Sequence, residues 1–278
     1  GFLEKFNPKL LIIATPFDFY ISNLLVEARK KNIKIISSFA DWNFLENTQK
    51  NIVKDNLNRS IANLSDKIVL QTSTAADLVK HKTGLNAYVI PDCLRYKSYE
   101  SIKKINYPFK IAWFGRSTNH DTLKYGLKEI SKYDYSIELN IITNELEKLK
   151  NYLSDINLSK ISLKFTEWTP SMDESVRNSD IVIVPYINDA TRLVKSENRV
   201  TDSMNMGKFV IASQSPFLTQ FQDYCFLGNI GEGLKWIREN NDLAITKVAL
   251  GKQYVQKKFN VKIIANLWMN LIKETMNF

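Results

Sequence analysis

The sequence predicts an α/β protein of two successive doubly wound, parallel-sheet domains, and three observations carry that expectation. Short apolar runs of strand length alternate with amphipathic segments of helix length, the signature of parallel βα units. The alternation lapses once, between Pro91 and Pro108, where DCLRYKSYESIKKINY reads as a charged connector. A chain of 278 residues, 44% hydrophobic and 12% aromatic, has enough apolar material for two cores.

In the first part, strands are expected at Lys9 to Ala14, Ile33 to Ser38, Lys67 to Gln71 and Ala87 to Ile90, with helices near Ile21 to Lys31, Gln49 to Leu64 and Ala75 to Lys82. Thr72, Ser73 and Thr74 stand where a strand hands over to a helix, and any of them could cap it. The second part restarts with FKIAWFG (109–115) and continues through ELNIIT, ISLKFTEW, DIVIVPY, KFVIAS and YCFLG. Helices at Asn241 to Lys257 and Val261 to Met276 close the chain. The expected division is therefore residues 1–106, residues 107–258, and a terminal helix over 259–278. The carboxyl ends of two such sheets face one cleft, and open α/β sheets bind ligands at those ends.

Charge narrows the partners. The formal net charge of +9 attracts phosphate-bearing ligands, whether nucleic acid, an anionic membrane face or a nucleotide sugar. Lysines are spread over most predicted helices without a basic stripe interleaved with aromatics, which argues against nucleic acid. No run reaches the roughly 18 apolar residues of a spanning helix. The first residues lack the basic segment and cleavage site of a signal peptide. A cytoplasmic protein is expected, with peripheral contact at the inner face of the cell membrane left open. The chain starts at Gly1 rather than Met, which suggests trimming. Cys93 and Cys225 lack a CxxC or His-rich context, so neither a disulfide nor a zinc site is suggested. A GxSxG elbow is absent, and two histidines leave a triad little to draw on.

The segment that carries chemistry is KSENRVTDSMNMGKFVIAS (195–213). It reads as a helix entering after the strand DIVIVPY and followed by Gly207 and another strand. At about 100° per residue, Lys195, Asn198, Arg199 and Asp202 share one face, while Val200 and Met204 lie opposite and can pack on the sheet. Unpaired N–H groups and the positive dipole end at a helix start favour an anion, and Lys195 and Arg199 add side-chain charge. Together they could hold a diphosphate, and Asp202 could accept from two ribose hydroxyls. The bland alternative is a solvated helix face with a basic i,i+4 pair.

This segment resembles the donor site of bacterial GT-B glycosyltransferases of the family-four type. KIAWFGRSTN (110–119) is similar to the first strand and Gly-Arg turn of their second domain, SDIVIVPY to the strand before the donor loop, and SDKIVLQTSTAADLVK with AYVIPD to the end of their first domain. The resemblance implies the GT-B fold, with two Rossmann-like domains, the active site between them and a first domain that is short here, because its usual opening Gly-rich turn is missing. It further implies that Gly115, Arg116, Lys195, Ser196, Glu197, Asn198, Arg199 and Asp202 bind the nucleotide sugar, with Lys195 and Arg116 meeting the charge on the leaving diphosphate. The family's pair of glutamates eight residues apart would fall on Val194 and Asp202, so the first acid is absent.

The function implied is metal-independent transfer of a sugar from a nucleotide-sugar donor, used as substrate without a cofactor, to a saccharide or lipid-linked saccharide in surface-polysaccharide assembly, with retention of configuration. No DxD triplet is present, and Lys, Arg and helix N–H groups can stabilise the departing diphosphate. Alternatives are a GT-B nucleotide-sugar epimerase and a catalytically silent partner subunit. Trp168 is a candidate for the nucleotide base or an apolar anchor. Asp41, Trp42 and His120 are candidates on the acceptor side; the alternative is capping for Asp41, packing for Trp42, and a helix-start residue without a special role for His120. GNIGEG (228–233) matches no phosphate-loop pattern and reads as a turn opening a helix.

Overall fold

A computed structural model describes residues 1–14, 19–40, 42, 44 and 48–277. The chain forms two compact units, one of residues 1–92, 188–196 and 261–278, the other of 93–187 and 197–260.

In the first unit the short α1 (Phe2–Phe6) precedes β1 (Leu10–Ala14), α2 (Phe19–Lys30), β2 (Lys34–Ser38), α3 (Gln49–Leu64), β3 (Lys67–Leu70), α4 (Ser73–Thr83) and β4 (Tyr88–Val89). The strands pair in chain order, all parallel, as consecutive βα units joined by right-handed crossovers require. Leu11 and Ile35 pair across β1 and β2 and pack with Leu25 and Ala28 of α2, Leu57 and Ile61 of α3, and Val79 of α4. Thr72 caps α4 by accepting from Ala75 N–H at 3.2 Å, and Gly84 ends that helix in the left-handed region. The sequence did not lead us to expect α1.

The second unit contains β5 (Phe109–Phe114), α5 (His120–Ile130), β6 (Ile137–Thr143), α6 (Leu146–Tyr152), β7 (Ile161–Glu167), α7 (Met172–Val176), β8 (Ile181–Val184), α8 (Asn198–Asn205), β9 (Phe209–Ala212), β10 (Phe226–Leu227), α9 (Ile230–Glu239) and α10 (Asn241–Lys258). Its parallel sheet has the order β10-β9-β8-β5-β6-β7, the two-half arrangement of a dinucleotide-binding fold. Alternation along the strands splits the apolar residues between two faces. Ile111, Trp113, Leu139 and Ile141 meet α5, α6 and α9. Ala112, Phe114, Val182 and Val184 meet α7 and α8 through Met172, Val200 and Met204. The GNIGEG segment is the turn expected of it, with Asn229 capping α9 by accepting from Gly231 and Glu232 N–H.

Two boundaries differ from expectation. The charged connector 93–106 belongs to the second unit, because its backbone and side chains bond there: Leu94 N–H donates to Phe259 C=O and Ile102 N–H to Gly207 C=O. The terminal helix α11 (Val261–Met276) is not a separate piece; Glu274 reaches Lys67 and Tyr88, and the helix joins the first unit. No described helix is long and apolar enough to cross a membrane.

Gly207 sits where the connector crosses the α8–β9 turn. Its φ is +71°, and a Cβ there would lie 2.8 Å from Ser101 Cα and 2.9 Å from Glu100 O. Gly207→Ala adds left-handed strain to a clash against backbone that has no rotamer to yield, and it should cost at least about 2 kcal/mol. A urea titration should show the midpoint fall with the slope unchanged.

Candidate functional site

The strand order of the second unit reverses between β5 and β8, which pair directly. At such a switch point the loops leaving the two strands part and open a crevice at the sheet's carboxyl edge. From β5 come Gly115 and Arg116; from β8 come Pro185 and Tyr186.

Gly115 is dictated by the core beneath it. A Cβ on it would lie 3.0 Å from two atoms of the Trp113 indole, and Trp113 has no room to move, being fully buried. Arg116 follows and is exposed. The turn is braced from β6: Asn144 Oδ1 accepts from Ser117 N–H at 2.9 Å, and Glu145, held at a left-handed φ of 57°, accepts from the Ser117 hydroxyl at 2.9 Å.

On the other strand, Tyr186 is 5% exposed and its N–H donates to Ser213 Oγ at 3.0 Å. The Arg199 guanidinium lies over this ring, 4.9 Å from its centroid. The contact holds the guanidinium against the ring face as a cation–π pair. Its Nη1 is shielded and makes no hydrogen bond. A shielded guanidinium donor without an acceptor is costly, and an anion at the helix start would satisfy it. Helix α8 runs back from the carboxyl edge, so the first-turn N–H groups also face that edge.

The other expected residues fall as follows. The helix begins at Asn198 with Glu197 at its N-cap, so Lys195 and Ser196 precede it and the shared helical face does not extend to Lys195. Val194, Lys195 and Ser196 belong to the first unit, where Val194 is 1% exposed within the apolar core. Asp202 is on α8 but is not presented to a ligand. It has no exposed surface, and its carboxylate accepts from Arg95 N–H at 3.0 Å, Nε at 2.9 Å and Nη2 at 2.7 Å. Helical spacing alone leaves Asp202 on an open face, and Arg95, in the charged connector, closes that face.

Trp168, after β7, is 44% exposed and is therefore no apolar anchor. Trp42 is core rather than acceptor-facing, 1% exposed and stacked on Phe44, with its indole N–H donating to Asp55 at 2.7 Å. Asp41 lies outside the described residues. His120 starts α5 and is buried, with Nε2 3.0 Å from Thr143 Oγ1, so it does not offer its ring to an acceptor. Tyr186, Ser117, Asn144 and Glu145 were missed. An aromatic two residues after a buried strand is the sequence signal for Tyr186.

No known family model matches the chain, and no curated protein does. Solved structures match along nearly its whole length, and they define the class: the fold is GT-B. A UDP-forming α,α-trehalose-phosphate synthase from Burkholderia xenovorans superposes with a TM-score of 0.66 at 9% identity, over 96% of this chain and 75% of that one. The lipopolysaccharide outer core galactosyltransferase WaaB, in its apo form, gives 0.62 at 14%, over 98% and 77%. The E. coli trehalose-6-phosphate structure bound with UDP-2-fluoro glucose gives 0.63 at 12%, over 97% and 73%.

Burial lowers the His120 pKa from its ordinary 6.5. The unfolded chain therefore binds a proton on this residue more readily than the folded one, and the contribution works against folding as pH falls through about 6.5. His120→Gln, which keeps an amide within reach of Thr143, should reduce the loss in melting temperature between pH 7.5 and pH 5.5, as measured by calorimetry. An unchanged difference would show that His120 titrates normally.

Proposed function

We propose that the protein is a glycosyltransferase that takes a nucleoside diphosphate sugar as donor and passes the sugar to a saccharide or lipid-linked saccharide, in bacterial surface-polysaccharide assembly. The observation that carries this reading is Arg199, held over Tyr186 at the switch point with a shielded N–H lacking an acceptor. The GT-B fold, and solved neighbours that are themselves glycosyltransferases, support it.

In this reading the diphosphate lies across the carboxyl edge of β5 and β8, met by Arg199, the first-turn N–H groups of α8 and Arg116. Lys195 adds charge from the donor loop. These fixed positive groups stabilise the nucleoside diphosphate as negative charge grows on it, so the step needs no metal. Gly115, Ser196, Glu197 and Asn198 shape the phosphate cradle, and Trp168 offers an exposed ring to the base. Retention of configuration belongs to the same proposal and is read from the anomer of the product. A peripheral contact with an anionic membrane would follow from a lipid-linked acceptor and the net charge of +9.

Thermal unfolding with UDP, GDP, ADP and TDP tests the reading. One of them should raise the melting temperature, and Arg199→Ala should weaken that ligand by about 10- to 100-fold, the scale of a charge-assisted hydrogen bond. Lys195→Ala should slow hydrolysis of the matching nucleotide sugar. If none of the four shifts the transition, the donor site is not there.

A further inference from the structure

The connector 93–106 is not a linker but a strap, and it bonds to the elements that carry the candidate nucleotide contacts. Arg95 takes Asp202 of α8 with its backbone N–H and guanidinium. Tyr96 accepts at its carbonyl from the Asn205 side-chain amide of α8 at 2.8 Å. Tyr99 donates to Asp173 of α7 at 2.6 Å, and that contact pushes its phenol up to about 12. Gln256 of α10 closes the arrangement, donating to Ser98 at 3.0 Å and to Asn205 at 3.2 Å.

Asp202 lies three residues beyond Arg199, close to one turn along the same helix. Fixing its carboxylate fixes the rotation of α8 about its axis. That rotation decides whether the Arg199 guanidinium stays over Tyr186 or swings away. Three donors from one residue on a carboxylate with no exposed surface specify this setting far more tightly than the apolar contacts of Val200 and Met204, which tolerate sliding.

Resting on the donor-site reading above, we propose that Arg95 and Asp202 are positioning residues for diphosphate binding: the strap sets α8, and α8 sets Arg199, while Asp202 touches no ribose. A direct ribose contact and a positioning role make different demands. The first loses affinity only for ligands that carry the hydroxyl; the second loses it equally with or without.

The experiment uses the full chain with the best binder among UDP, GDP, ADP and TDP, where the ribonucleotide and its 2′-deoxy counterpart are both titrated by calorimetry. Asp202→Asn and Arg95→Lys should each weaken both forms by the same factor, about tenfold for a lost bidentate charge-assisted contact. In an Arg199→Ala background Arg95→Lys should cost nothing further, because the group it positions is gone. Hydrogen exchange in Arg95→Lys should rise across residues 198–205. Loss confined to the ribo form, or losses from Arg95→Lys and Arg199→Ala that multiply, would overturn the proposal. Should wild type bind no nucleoside diphosphate, the donor-site reading fails, and unchanged exchange in α8 would then also refute the strap's hold on the helix. Arg95→Lys is the milder variant if Asp202→Asn does not fold.

Discussion

A carboxylate with no exposed surface must be matched or it unfolds its surroundings, and in the second unit that constraint falls on Asp202. Burying an ion is repaid only when geometry is good and several hydrogen bonds converge, and losing one partner of such a pair typically costs about 3–5 kcal/mol. Arg95 supplies three donors at 2.7–3.0 Å from a strand of chain more than 100 residues away. Its own side chain keeps 45% exposure, so it sheds little hydration in making the pair. The pair is therefore asymmetric: Asp202 depends on Arg95 more than Arg95 depends on it.

Much else is arranged around this contact. The strap can lie close to α8 only because position 207 has no side chain, and Gly207 returns the contact by accepting from Ile102 N–H. Asn205, one turn along from Asp202 and buried, exchanges hydrogen bonds with Tyr96 and Gln256. The polar side of α8 thus bonds to protein along its second half. On its first turn, the Arg199 guanidinium lies over the Tyr186 ring. There Arg199 Nη1 is a shielded donor without an acceptor.

The sequence revealed the elements far better than their partners, and the reason is the range of the interactions. Periods of 2 and 3.6 residues are local, so α3 and α11 were bounded to the residue and every strand was found within one or two. Pairing across the fold is not local. Helical spacing alone put Asp202 on a ligand face, because nothing within the segment announces that Arg95 will claim it. The same blindness put Trp42 on the acceptor side: a strand-end position promises exposure, whereas the indole turns inward to Asp55, which also binds Arg59 at 2.7 Å. The domain boundary went astray for a related reason. A segment without apolar periodicity looks like a linker, yet residues 93–106 are held by hydrogen bonds, which carry no period.

The absence of an acid at position 194 has a physical side. Where the resemblance would place an acid, the chain buries an isopropyl group in the apolar core of the first unit. A carboxylate there would enter unmatched apolar surroundings, a cost of several kcal/mol before any benefit at a ligand. Asp202, where the resemblance would place the second acid, is bound by Arg95 through three hydrogen bonds. The segment keeps one other carboxylate, Glu197 at the N-cap of α8, 4% exposed, together with the cationic Lys195 and Arg199. On the proposed donor-site reading, positions 194 and 202 do not select the sugar, and that selection falls to other residues.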